Sequence, residues 1–98
     1  MLKKNSHNPL CVQDAEKIAI RALGFLASEP DHMARFMNLT GMEPDDIAAN
    51  AGSAPFQVAL LDHLMSDETL LLAFCGNENI NPQLIAPAHH LLSGTEPF

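Results

Sequence analysis

Apolar residues recur at three- and four-residue steps along most of this chain, and Gly and Pro interrupt them at short intervals. That period belongs to amphipathic helices, not strands. The first helix is expected over Asp14–Ser28. Ile18, Ala19, Ala22, Leu23, Phe25 and Leu26 give it a wide apolar face, and Asp14, Lys17, Arg21, Gly24 and Ser28 form the opposite stripe. Asn8-Pro9 is also a good cap and first-turn pair, so an earlier start is open. The second helix is expected over Pro30–Thr40, with Met33, Phe36, Met37 and Thr40 on one face and Gly41 as a left-handed stop. Ser28 and Asp31 have the spacing of a capping box ahead of it.

Pro44, Asp45 and Asp46 open a short third helix to about Ala51, closed by Gly52, with Met42 and Ile47 facing inward. Ser53 caps a fourth over Ala54–Met65, whose core positions are Phe56, Leu60, Leu61 and Leu64. The fifth, Glu68–Cys75, is apolar all round from Leu70 onward and is expected to stop at Gly76. A helix without a polar side is central in the core or covered by a partner. After a loop at 77–80, Asn81-Pro82 open a sixth helix to Ser93, with Gly94 at its end. Pro87 should kink it or move its start to about Ala86.

These segments describe an all-α fold, a compact irregular bundle of five or six short helices. Residues 9–94 form the single helical domain, with mobile tails at 1–8 and 95–98. Composition agrees. Leu and Ala supply 27 residues against ten for Val, Ile and Thr, and there is no Trp or Tyr, a mix that favours helix.

Charge narrows the function more than the fold. Lys3, Lys4, Lys17, Arg21 and Arg35 are the only basic residues, all within the first 35 positions, which carry +1. From Phe36 onward eight acids stand without a cation, for a net charge of −7 overall. Phosphate backbones require clustered cations, so no nucleic acid is expected as a partner. The longest purely apolar run, Leu70–Cys75, is far too short for a bilayer, and no membrane is expected. Two cysteines 64 positions apart and a polar Asn5–Pro9 segment, where a leader would be apolar, point to the cytoplasm.

The strings Ile18–Ala27, Arg35–Ile47 and Phe56–Phe74, which include Asp62-His63 and Asp67-Glu68, resemble a family of short alphaproteobacterial helical proteins classed as a domain of unknown function. The resemblance is close over about Ala15–Phe74 and loose in the sixth helix. It implies an all-helical domain in a bacterial cytoplasm, and it implies no activity and no functional residue.

The candidate chemistry is sparse. Residues 31–51 have the lengths of a helix-turn-helix, with Gly41 in the turn and Ile47 after it, and this is the alternative reading: a nucleic-acid-binding regulator. Its reading helix offers two carboxylates and no cation, and only Asn50 could meet a base edge. A small metal-dependent protein is the second alternative, with His63, Cys75 and His89 as ligands that would have to converge. No HxxxH or HExxH spacing occurs. Cys75 lies in the most apolar run, where a thiol behaves as a small hydrophobe, so no enzyme and no cofactor are expected. What remains is a protein-interaction or homodimerisation module. Its candidate contact residues are Arg21, Arg35, Asp62 and His63, exposed beside apolar helices, with Arg21 and Arg35 in one basic patch.

Overall fold

Helix ends in this chain are set by local hydrogen bonds, and these correct several boundaries. The computed structural model describes residues 10–94, so the tails expected at 1–8 and 95–98 lie outside the described residues. Six α-helices follow: α1 (Val12–Ala27), α2 (Pro30–Thr40), α3 (Pro44–Asn50), α4 (Ala54–Met65), α5 (Glu68–Glu78) and α6 (Ile85–Ser93), with a 3₁₀ turn at Pro82–Leu84 ahead of α6.

α1 starts before Asp14, at Val12, because Asp14 reaches back over the first turn. Its Oδ2 accepts from the Cys11 backbone N–H at 3.3 Å and from the Cys11 thiol at 3.2 Å. Ser28 does not cap α2. Its hydroxyl donates to the Phe25 carbonyl at 2.7 Å, which closes α1, and Glu29 is the residue ahead of Pro30. Gly76 does not stop the fifth helix, which runs through it to Glu78. The stop is Asn79, left-handed at φ 59°, and the Ile80 N–H donates back to the Cys75 carbonyl at 2.9 Å. This is the hydrogen bond of a Schellman ending, made here with Asn in place of Gly. Pro87 falls in the first turn of α6, where its missing N–H costs no hydrogen bond, so the helix starts at Ile85.

The centre of the fold is α1, α4 and α6. α1 presents Ala15, Ala19 and Ala22 to it, all fully buried, and α6 presents Ala88. Small side chains at those positions let helix axes approach closely. Larger groups fill around them: Leu26, Leu60, Leu61, Leu64, Phe56 and Ile85. α2 is fastened to α4 by Phe36, whose ring meets Phe56 edge-on at 6.0 Å and His63 at 5.2 Å. α5 lies to one side, against α4 and α1. It buries Leu70, Phe74 and Cys75 and leaves Leu72 half exposed. The fifth helix is therefore not the central one.

Candidate functional site

Two concave regions bring charged and apolar side chains together at the surface. The first is a groove of about 310 Å³ between α1 and the turn that joins α5 to α6. Ile18, Leu10, Ile80 and Leu84 give it an apolar lining, and Asp14, Lys17 and Arg21 stand along α1 beside them. Helical spacing explains the row, since positions 14, 17, 18 and 21 fall on one face. The far wall is held by the left-handed Asn79 and by Asn81, whose Oδ1 accepts from the Gln83 N–H at 2.9 Å. The hydrogen bonds from Cys11 hold the Asp14 carboxyl below its usual range, so it is charged and already occupied.

The second is a cavity of about 210 Å³ where α2, the end of α4 and the start of α5 meet. Its wall contains His32 and Arg35 from α2, His63 from α4, and Asp67, Thr69, Leu70 and Ala73 around α5. His63 was expected among exposed residues, and it is only 8% exposed. Burial is the main cause that pushes its pKa down, and the Arg35 charge adds to it; Asp67 opposes and His32 assists. His63 is therefore held neutral to lower pH than an exposed histidine.

Arg21 and Arg35 line different cavities, on α1 and α2. Asp62 is exposed and pairs with His89 of α6 across 2.7 Å. It also borders a shallower hollow of about 340 Å³ with Leu39, Thr40, Ala59, His63 and Ser66. Among the four candidate contact residues Arg35 and His63 share one wall, Asp62 and His63 share another, and Arg21 lines the α1 groove with Lys17.

Among the described residues no three His, Cys, Asp or Glu side chains gather as metal ligands, so His63, Cys75 and His89 do not converge. Cys75 is 3% exposed, and burial raises its pKa. Both Cys11 and Cys75 are free thiols. In α3 the Asn50 amide donates to the Asp46 carbonyl at 2.8 Å, and Ile47 is the one buried side chain.

Sequence reasoning missed Gln57. It is 2% exposed, and its Nε2 donates to the Ala51 carbonyl at 3.2 Å, which satisfies the end of α3. Its spacing to Leu60, Leu61 and Leu64 is the signal that could have placed it in the core. His32 was also missed as a wall residue, because nothing in its local sequence shows that α5 passes beside it.

The chain belongs to the family described as "protein of unknown function (DUF3572)", which matches residues 12–95. The match begins at the first residue of α1 and takes in the whole of α6. No curated protein and no solved structure matches the chain. No helix among the described residues is long and apolar enough to cross a membrane.

Proposed function

We propose that this domain is a non-catalytic, cytoplasmic protein-interaction module that docks an acidic, apolar-faced segment of a partner protein in the α1 groove. The observation that carries the reading is the composition of that groove. It combines four aliphatic side chains with Lys17 and Arg21, two of the three Lys and Arg side chains among the described residues, against the single carboxylate of Asp14, which Cys11 already engages. The chain as a whole carries −7, so a local basic rim over apolar lining is the complement of an acidic amphipathic segment. The same net charge opposes pairing with a second, equally acidic copy.

Two further facts support the non-catalytic and cytoplasmic parts of the reading. The one thiol in the core is buried with a raised pKa, the reverse of an activated nucleophile. Two unpaired cysteines suit a reducing compartment. The helix-turn-helix alternative has nothing in its favour electrostatically, since Asp45 and Asp46 open α3 where a phosphate would lie.

A helical model peptide with Leu on one face and Glu on its flanks tests the docking. Amide shifts on titration should cluster at Leu10, Ile18, Ile80 and Leu84, weaken with added salt, and vanish in the K17E/R21E double variant. Shifts that survive the double variant would sink the reading. Concentration-dependent sedimentation that the same variant abolishes would replace the partner segment by a second copy of the chain.

A further inference from the structure

Around the cavity between α2 and α5, polar side-chain atoms stand without partners. Arg35 makes no ion pair with any described residue. His63 is more than nine-tenths buried, and its Nε2 has no hydrogen-bond partner; Nδ1 of His32, in the same wall, has none either. A buried polar atom left unpaired is costly, so two in one wall call for an explanation. The first turn of α5 adds to the set. Asp67 Oδ1 accepts from the Leu70 N–H at 3.2 Å and the Asp67 carbonyl accepts from Leu71 at 2.9 Å, which leaves the amides of Glu68 and Thr69 open. Leu70 and Ala73 of the same helix supply apolar wall.

We propose that this cavity binds the carboxylate of a small aliphatic acid. The Arg35 guanidinium and the open Thr69 amide take the oxygens, His63 and His32 complete the polar end, and Leu70 and Ala73 cover the carbon chain. Charge selects the class. Arg35 is the one fixed cation of the wall and Asp67 its one carboxylate, so the wall tolerates a single added negative charge at the guanidinium and disfavours phosphate dianions. Size selects it too. At about 210 Å³ the cavity is below the usual range for drug-sized ligands and suits a chain of a few carbons. The site shares neither Lys17 nor Arg21 with the docking groove, so each proposal stands or falls separately.

The test is a titration of the full chain with sodium butyrate, read on the imidazole carbon-bound protons of His32 and His63. Acetate, inorganic phosphate, N-acetyl-glutamate amide and chloride serve as comparison arms at matched ionic strength. Butyrate should give saturable shifts at both rings and raise the midpoint of the His63 titration, whose facing charges are Arg35, His32 and Asp67. Arg35 is exposed, so R35Q should fold, and it should weaken butyrate at least about tenfold, as expected for loss of a charge-assisted hydrogen bond. R35K should recover part of the affinity. The proposal is overturned by an absence of saturable shifts or by equal affinity in R35Q. It is equally overturned if chloride or phosphate reproduces the effect, which would mean an adventitious ion only, or if the glutamate amide binds and butyrate does not.

Discussion

α4 and α5 carry similar runs of aliphatic and aromatic side chains and are of nearly equal length, yet the fold uses them in opposite ways. α4 buries Phe56, Gln57, Leu60, Leu61, His63 and Leu64, and receives α1, α6 and the Phe36 ring of α2 around it. α5 buries Leu70, Phe74 and Cys75 and turns Leu72 and Ala73 to solvent. Both helices are capped in the same manner, by Ser53 onto the Phe56 N–H and by Asp67 onto the Leu70 N–H. What separates them is company. α5 is held from one side, and its partners there are α4 and the Phe25 ring, which meets Phe74 at 5.5 Å. Apolar girth says that a helix can be buried, and neighbours decide how much of it is.

The sharpest way to break this comparison is to remove matched leucines. Leu61 of α4 is fully buried, and L61A should cost about 2–5 kcal/mol, from lost transfer free energy and the cavity left behind. Urea unfolding followed by circular dichroism measures it. A loss below about 0.5 kcal/mol, the size of a surface substitution, would mean that α4 is not the central helix.

A smaller effect tests the end of α5. Asn79 is the only non-Gly residue with positive φ among those described, and it turns the chain toward the wall of the α1 groove. N79V forces a β-branched side chain into that region at a cost of about 1–2 kcal/mol, whereas N79G should be close to neutral. Equal melting temperatures for the two variants would remove Asn79 as the stop.

That residue also shows what could and could not be read beforehand. Pro30, Pro44 and Ser53 announce helix starts through their own local chemistry, and those starts are where the pattern placed them, whereas Asn81 caps only the 3₁₀ turn and α6 begins at Ile85. The five glycines carry less information. Gly41 and Gly94 are left-handed stops, but Gly76 lies inside α5, because the backbone bond from Ile80 to Cys75 fixes the end three residues later. The site divides in the same way. The stripe that places Lys17 and Arg21 together is a property of one helix, and it was legible. That Arg35, His63 and Thr69 line one cavity depends on the meeting of three helices, which no local spacing encodes. Asp62 and His89 meet for the same reason, although they are 27 positions apart.

Acid tests the α2–α4–α5 meeting point. The folded state lowers the pKa of His63 below its ordinary 6.5, so the unfolded chain binds this proton at higher pH than the folded one. Stability from this group is therefore constant at higher pH and falls as pH drops through 6.5 toward the folded value. H63Q should flatten that part of the stability–pH curve. An unchanged curve in H63Q would show that Arg35 and burial do not hold this imidazole neutral.

The smallest effect belongs to the exposed side of α5. Leu72 is 50% exposed, so L72S should change stability by no more than about 0.5 kcal/mol. Set against L61A, this is the direct measure of how unequal two apolar helices are in one small domain. Leu72 can fail the test in only one informative direction. A large loss at low micromolar concentration that disappears on dilution would mean that a second chain covers α5, since mutation then removes an intermolecular contact whose weight depends on protein concentration. A large loss independent of concentration would instead place Leu72 inside the monomer and contradict the one-sided packing of the helix. A neutral result keeps α5 as a support strut, whose work is to present Asp67, Thr69 and Ala73 to the cavity and to deliver Asn79 and Ile80 to the groove.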